Sequence, residues 1–406
     1  MKGKEMNNKW MEEFPALKKY RIYLNTAGTG LLPKKTAREI EEFTEKTLRN
    51  NWENMENELV KPAKKEICKL INCSEDEVSF SVQTTDGLKR ILLALNPKPG
   101  MNIVGVDLEF PSISMGVKTL CRNFGCKVKI IRHRNGVYYI SDFEKAIDEN
   151  TLAVAISSVQ WINGTMIDLK EISRIAHEKG ALVIVDGIQH VGAVKLDVKE
   201  TDIDAMAVGG EKWLLTSNIG SGFIYVKREI MDRLNPPIYG LLNFEEPYGG
   251  WGEWWPLKEK DLWKPLRIAR DVSKLDWGGG KPYILIAALK SCIEYINDLG
   301  IDWIDEHNKK LKHKILDEAL SRGYEIVGFT EDKRLWSSIT TISLGLKYED
   351  ELNLARKLRE KKMMISYRGA AGIGGIRISP HLYNEKAEIE TLMEEMEKIR
   401  RRLNKN

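Results

Sequence analysis

A carboxylate and an amine lie in two successive apolar segments of the chain. Asp186 ends the apolar part of VIVDGIQH at residues 183–190, and Lys212 follows two glycines in AVGGEKWLL at residues 207–215. A carboxylate at the end of a buried parallel strand lies where open α/β sheets bind ligands, and burial there favours a cationic partner. A lysine at a strand end can be desolvated into a nucleophilic amine. Taken alone, Asp186 fits a turn-capping role equally well, and a lone lysine after two glycines is usually a surface residue.

The segments around these two residues predict alternating strands and helices. Nearly continuous apolar runs indicate buried strands, and a helical pattern with Leu169 and Ile172 on one face, ended by Gly180, connects two of them. The predicted strands are residues 102–106, 128–131, 152–157, 181–185, 205–208 and 222–226. Repeated alternation of this kind favours a mainly parallel sheet between layers of helices.

The length of the chain predicts two packed domains, because 406 residues are many for a single core. After about residue 274 the pattern changes to long helical stretches, such as 284–299, with fewer strands. We therefore predict the α/β class, with a three-layer αβα large domain built on a mainly parallel sheet at 23–274. A smaller α+β C-terminal domain is expected at 275–406, and residues 1–22 are expected to pack on it.

Composition argues against several classes of partner. The net charge is +4, with 63 basic and 59 acidic residues interspersed along the chain, so nucleic acid is not an expected partner. No uncharged apolar run approaches the roughly 20 residues of a membrane helix, and residues 1–25 contain no signal-peptide core. Cysteines at five positions lack paired metal-ligand spacing, so we expect reduced thiols, no metal site and a cytoplasmic location. They are Cys68, Cys73, Cys121, Cys126 and Cys292.

Six short motifs occur in a fixed order between about residues 23 and 395. They are YLNTAGTGLLP at 23–33, QTTDG at 83–87, EFPS at 109–112, VDGIQ at 185–189, GEKWLL at 210–215 and IRISPHLYN at 376–384. In this order the motifs resemble the class V aminotransferase family of fold type I enzymes, which includes cysteine desulfurases, kynureninase and isopenicillin N epimerase-like proteins. The resemblance implies the fold type I architecture and pyridoxal 5'-phosphate (PLP) as the cofactor.

The resemblance also implies a role for residues around the PLP ring. Lys212 would form a Schiff base with PLP and then move protons on the substrate. Asp186 would pair with the protonated ring nitrogen, and Gln189 would hydrogen-bond the phenolic oxygen. Phe110 would stack on the ring face, and Gln160 would be a further polar contact for the cofactor.

The predicted phosphate-binding residues depart from the family pattern. Thr84 and Thr85, at the start of a helix, would cradle the phosphate. The residue before the lysine is commonly histidine, but here it is Glu211, whose charge would repel a phosphate. Either Glu211 points away from the phosphate or a cation compensates for its charge, and we hypothesise that Lys281, next to Gly280 in the turn GGGKP, supplies that charge from a neighbouring subunit. The expected assembly is therefore a homodimer with its active site at the subunit interface.

Two arginines near the C-terminus are the expected substrate contacts. By resemblance, Arg377 would bind the substrate carboxylate through two parallel hydrogen bonds, and Arg368 would assist. Cysteine desulfurases carry a nucleophilic cysteine in the loop that follows the position of Arg368. The corresponding loop here, residues 369–375, reads GAAGIGG. Because it contains no sulfur, we do not expect a standard cysteine desulfurase.

The expected function is that of a PLP-dependent enzyme acting on a small amino acid, with transamination as the first hypothesis. Epimerisation and C–S or β-elimination are close alternatives, because one PLP site can support all of them. An alternative from another class is a degenerate PLP fold kept as a binding or scaffold protein, since the phosphate motif is altered. The tryptophan-rich stretch at residues 251–263 is expected either to cover the substrate entrance or to pack in the dimer.

Overall fold

The computed structural model describes residues 9–49, 54–264, 266–328 and 331–403 of the chain. Of the predicted N-terminal segment, residues 1–8 lie outside the described part. The strands are β1 (Ile22–Tyr23), β2 (Val78–Ser81), β3 (Asn102–Val106), β4 (Lys127–Ile131), β5 (Thr151–Ser157), β6 (Leu182–Asp186), β7 (Ala205–Gly209), β8 (Gly222–Val226), β9 (Glu325–Ile326), β10 (Thr340–Ser343), β11 (Met363–Met364), β12 (Ser366–Ala370) and β13 (Ile373–Ile378). The α-helices are α1 (Lys34–Leu48), α2 (Lys61–Ile71), α3 (Thr84–Ala94), α4 (Pro111–Phe124), α5 (Ile140–Ala146), α6 (Leu169–Glu178), α7 (Val198–Thr201), α8 (Gly250–Trp254), α9 (Tyr283–Leu299), α10 (Ile301–Leu320), α11 (Tyr348–Glu360) and α12 (Lys386–Leu403).

A seven-stranded sheet forms the centre of the larger part of the chain. Its strand order is β2-β8-β7-β6-β5-β3-β4, and β8 runs antiparallel to both of its neighbours whereas the other pairs are parallel. Every residue of β6 and β7 is buried, as expected for parallel strands covered on both faces. This sheet confirms the predicted mainly parallel α/β architecture.

Alternate residues of the central strands feed two separate hydrophobic cores. In β6, Val183 and Val185 point into one core, whereas Leu182 and Ile184 point into the other. Helices α3 and α4 cover the second face, and α2, α6 and α9 cover the first. The period of two along each strand therefore builds the three-layer arrangement that the sequence predicted.

The strand predicted at residues 128–131 is less buried than expected. β4 is the outer strand of the sheet, and Ile130 is 54% exposed. Lys127 and Lys129 alternate with its apolar residues, a pattern that protects an unpaired strand edge from association. The prediction of a buried strand was wrong here, because apolar content alone does not reveal how many neighbours a strand has.

A second, four-stranded sheet lies in the C-terminal part, in the order β12-β13-β10-β9, with antiparallel pairs throughout. Helices α10, α11 and α12 pack on it around a core that includes Ile342, Leu354 and Met393. The N-terminal segment joins this part through β1, which pairs in parallel with β11. Among the described residues, no helix combines the length and apolar character needed to cross a membrane.

The predicted domain boundaries stay predictions. Trp10 and Phe14, within the N-terminal segment, contribute to the large hydrophobic core beside the seven-stranded sheet. Helix α9 follows the predicted boundary at 274/275, yet Ile286 and Ile293 on it bury their side chains in that same core. Helix α9 therefore packs on the core of the larger part of the chain, although it follows the predicted boundary.

Candidate active site

Asp186 ends one strand, Lys212 follows the end of the neighbouring strand, and the two side chains interact electrostatically. Asp186 is the last residue of β6 and lies opposite Ala207 of β7, whose chain continues through two glycines to Lys212. Burial raises the pKa of Asp186 to about 6, opposed by a hydrogen bond from the Ile188 N–H at 3.0 Å and by the charge of Lys212. Burial likewise lowers the pKa of Lys212 to about 8, opposed by Asp186. Each group thus favours the charged form of the other in a space that disfavours both charges.

The turn that carries Lys212 is held by the predicted opening motif of the chain. The Gly30 N–H donates to the Glu211 carbonyl oxygen at 2.8 Å. A Cβ at Gly30 would overlap the Lys212 carbonyl oxygen, so only glycine allows this approach. Leu215, just after the lysine, adopts the left-handed region with φ of 65°. Two segments far apart in the sequence therefore fix the position of the amine.

Arg377 is a buried cation whose hydrogen-bond partners carry no charge. It lies on β13 with 1% of its surface exposed, and it donates to the Trp161 carbonyl oxygen at 2.6 Å and to Ser366 Oγ at 3.3 Å. Its Nε has no hydrogen-bond partner. Burial and the charge of Arg368 lower its pKa to about 9. A buried guanidinium in this state favours an anionic ligand.

Arg368 lies on the same face of the small sheet as Arg377. Ser366 is directly opposite Arg377 across the β12–β13 pair, and Arg368 is two residues further along β12. Both guanidinium groups help to lower the pKa of Lys212, after its burial. The structure therefore brings the two predicted substrate contacts and the predicted catalytic amine within electrostatic reach of one another.

Two aromatic rings form a wall beside Lys212. The Lys212 Nζ is 5.4 Å from the centroid of the Phe110 ring. The Trp161 ring meets Phe110 edge to face, with centroids 5.5 Å apart and an interplanar angle of 88°. Sequence reasoning predicted Phe110 but did not assign Trp161 to the site. Its place next to Gln160, four residues after the end of β5, was the available signal.

Gln160 contacts a buried acid that the sequence analysis did not single out. Its Nε2 lies 3.4 Å from Glu109 Oε1 and 3.2 Å from the Ser157 carbonyl oxygen, while its Oε1 has no partner. Burial raises the pKa of Glu109 to about 7, against the hydrogen bonds that Ser157 donates to it. The role of Gln160 as a cofactor contact stays a prediction, and Glu109 is the residue that orients its amide.

The side chain of Gln189 is held at both ends. Its Nε2 donates to the Ala27 carbonyl oxygen at 3.1 Å, and its Oε1 accepts from Trp213 Nε1 at 2.8 Å. One N–H of the amide is used in this way and the second remains for a ligand. The predicted contact with a phenolic oxygen stays a prediction, and Trp213, which the sequence analysis did not assign, fixes the orientation of the amide.

The predicted phosphate-binding threonines lie at the start of α3. Thr84 is its first residue, and its Oγ1 accepts from the Gly209 N–H at 2.8 Å. Thr85 Oγ1 donates to Ser112 Oγ at 2.9 Å. A helix start with hydroxyls suits an anion. However, the Glu211 carboxylate also lies here, since a Cβ at Gly209 would overlap Glu211 Oε2 and lie 3.0 Å from the Thr84 nitrogen.

Gly280 and Lys281 lie elsewhere in this chain. Lys281 Nζ is 3.1 Å from Glu56 Oε2, and the position of a Cβ on Gly280 has open space around it. Their assignment to the site of a neighbouring subunit stays a prediction.

The tryptophan-rich stretch packs partly on itself, with Trp254 and Trp255 centroids 5.0 Å apart, while Trp263 is 94% exposed. Its expected role at an entrance or an interface stays a prediction as well.

The residues present fit a PLP group at its ring end. A buried carboxylate interacts electrostatically with a half-buried amine that lies beside the Phe110 ring, and Gln160 Oε1 and Arg377 Nε are polar atoms without partners. The phosphate end offers a helix start and hydroxyls but also the carboxylate of Glu211. Within the described part of the chain, no group of three or more histidine, cysteine, aspartate or glutamate side chains is arranged to hold a metal ion.

Comparisons with known proteins found matches that span nearly the whole chain. The family model described as aminotransferase class-V matches residues 22–392. An uncharacterized aminotransferase of Bacillus subtilis (strain 168), YcbU, is 24% identical over 94% of this chain and 95% of its own length. A probable cysteine desulfurase of Methanothermobacter thermautotrophicus is 26% identical over 95% of this chain and 96% of its own. The solved structure of the cystine C–S lyase C-DES with its product cysteine persulfide superposes with a TM-score of 0.81 at 18% identity, covering 94% of this chain and 98% of that one.

Proposed function

This chain belongs to the aminotransferase class-V family, and we propose that it is a PLP-dependent enzyme acting on a small amino acid at Lys212. Its cofactor is PLP, which stores the electrons released when a bond to the substrate α-carbon breaks. The observation that carries the proposal is the pairing of the buried Asp186 with the half-buried Lys212 near a buried Arg377 whose hydrogen-bond partners carry no charge. Burying charges costs stability, and strongly perturbed pKa values cluster at functional sites.

Each residue has a task that its surroundings support. Lys212 would hold the cofactor covalently and later move a proton at the substrate α-carbon, a task suited to an amine whose pKa is about 8. Asp186 would hold the ring nitrogen in its protonated form. Arg377 would bind the substrate carboxylate through its fork of N–H groups. The Phe110 and Trp161 rings, in edge-to-face contact, would flank one side of this space.

Transamination is the first candidate reaction. It requires an amine that moves one proton between two positions and a clamp for the carboxylate, and Lys212 and Arg377 supply both. The loop at residues 369–375 contains no thiol to receive a sulfur atom, which disfavours a standard desulfurase. The relative YcbU, which matches this chain along nearly its whole length, is named an uncharacterized aminotransferase.

A C–S or β-elimination lyase is the second candidate, because relatives are named cysteine desulfurase and cystine C–S lyase. Elimination needs the same amine but no thiol in the loop. Epimerisation would use the same proton transfer at the α-carbon and differs only in the face to which the proton returns.

We further propose a cytoplasmic homodimer that takes a small amino acid and binds neither nucleic acid nor membranes. Sedimentation of the purified protein tests the dimer.

The decisive experiment joins a spectrum with a substrate screen. Purified protein supplied with PLP should develop the visible absorbance of a Schiff base, and borohydride should fix PLP on the peptide containing Lys212. Lys212→Ala should lose this band, whereas Lys170→Ala, which removes an exposed lysine on α6, should keep it. Incubation with amino acids then distinguishes keto acid, sulfide and inverted stereochemistry. A colourless protein that takes up no PLP would instead support the scaffold alternative.

A further inference from the structure

The carboxylate of Glu211 lies at the start of α3, where the phosphate is predicted to bind. Glu211 immediately precedes Lys212. Its Oε2 would overlap a Cβ on Gly209, and the same Cβ would also lie close to Thr84 Oγ1 and the Thr84 nitrogen. Those two Thr84 atoms would be 2.8 and 3.0 Å from a Cβ on Gly209. Glu211 therefore does not turn away from the helix start.

Among the residues that the structure describes, no basic side chain forms an ion pair with the Glu211 carboxylate. Its Oε2 is buried and has no hydrogen-bond partner. Burial raises the pKa of Asp186, and the charge of Glu211 raises it further. The charge of Glu211 also raises the pKa of Lys212, which burial lowers. The proposed compensating residue, Lys281, is paired in its own chain with Glu56 at 3.1 Å. A phosphate at the start of α3 would thus meet an uncompensated negative charge.

The helix start offers the same N–H groups to either anion. A helix N-terminus attracts one negative group through its unpaired N–H donors and the helix dipole. Glu211 is covalently held close to these donors without accepting a hydrogen bond from them, so its charge lies beside any phosphate that binds there. A phosphate must displace this carboxylate or tolerate it nearby, and both alternatives cost binding free energy.

Resting on the proposed function, we infer that Glu211 makes the cofactor's phosphate a weak contributor to binding, so that the ring end supplies most of the affinity. PLP and pyridoxal, which lacks the phosphate, then bind with similar affinity. The cofactor is exchangeable, and the protein depends on PLP in its surroundings more than an enzyme with a cationic phosphate site does. Glu211 is accordingly a specificity-determining residue for the cofactor.

The test compares PLP with pyridoxal on the full-length protein freed of cofactor. Dissociation constants come from the Schiff-base absorbance, and the quantity of interest is the Kd for pyridoxal divided by the Kd for PLP. In the wild type we expect a ratio below about 10. Glu211→Gln, which keeps the shape and removes the charge, should raise the ratio by on the order of tenfold to a hundredfold. Glu211→His should raise it further, through tighter PLP binding and not through weaker pyridoxal binding.

A matched control is Glu144→Gln, which removes one carboxylate from an exposed position on α5 and should leave the ratio unchanged. Ratios in both Glu211 variants within twofold of the wild type would overturn the inference while leaving the proposed function intact. Protein that forms no Schiff base with either compound would overturn the proposed function, and the inference with it. Circular dichroism confirms that the variants are folded before the titrations are compared.

Discussion

Replacing Lys212 by methionine should stabilise the cofactor-free protein near neutral pH. Burial lowers the pKa of this amine from its ordinary 10.5 to about 8, against the attraction of Asp186. At 1.36 kcal/mol per pKa unit, holding the proton on the folded chain costs about 3 kcal/mol. Methionine has a similar length and carries no charge, so Lys212→Met should recover a substantial part of this free energy. The gain comes at the expense of all Schiff-base chemistry.

The sign of the pH dependence follows from proton binding. Between about pH 8 and pH 10 the folded chain releases the Lys212 proton while the unfolded chain, with a pKa of about 10.4, keeps it. The free energy of unfolding of the wild type therefore rises with pH in this window on account of Lys212. The variant lacks this contribution. Its advantage over the wild type should be about 2–3 kcal/mol at pH 7 and should shrink toward zero by pH 10.

Urea unfolding of both proteins at several pH values measures this difference. Lys170→Met serves as the control, because it removes an exposed lysine and should follow the wild-type pH profile. Using the difference between two proteins cancels the contribution of other groups that titrate in the same window. A Lys212→Met protein that is less stable than the wild type at pH 7, or whose advantage is the same at pH 7 and pH 10, would refute the reasoning.

Three further changes probe the rest of the site. Arg377→Lys keeps the charge but loses the two-pronged contact, so the KM for the amino acid should rise about 10- to 100-fold with a smaller change in kcat; unaltered steady-state kinetics would count against the carboxylate role. Asp186→Asn removes the charge that raises the pKa of Lys212, so that pKa should fall below about 8, as measured by the pH dependence of amine labelling; a higher value would contradict the pairing. Gly209→Ala should cost about 1–3 kcal/mol of stability, through overlap with Glu211 Oε2 and close contact with Thr84 Oγ1. Urea unfolding should show a smaller cost in a Glu211→Ala background, and equal costs would place the carboxylate elsewhere.

Much of the fold was predictable because burial leaves a local mark on the sequence. Strands covered on both faces need apolar residues at every position, and β5, β6 and β7 are read directly from such runs. β12 was not predicted, because its sequence SYRGA mixes polar and small residues and its strand character comes from pairing with β13. Edge position, as for β4, is likewise a property of the assembled sheet.

The site divides in the same way. Asp186 and Lys212 could be paired from the sequence, since consecutive parallel strands tend to be neighbours and their carboxyl ends share one edge. The engagement of Gln189 with Trp213 and Ala27 could not, because it joins a side chain to a segment more than 150 residues earlier. Trp161 belongs to the site because the folded chain places its ring against Phe110.

The sequence by itself determined the family, strands β3 to β8 of the large sheet and the residue types that meet at the ring end, because these depend on local apolar pattern and on motifs. Only the tertiary structure decided that Glu211 faces the helix start and that Lys281 is bound to Glu56 within its own chain. The direction of a side chain in a turn depends on which distant segments fill the neighbouring space. No local pattern carries that information.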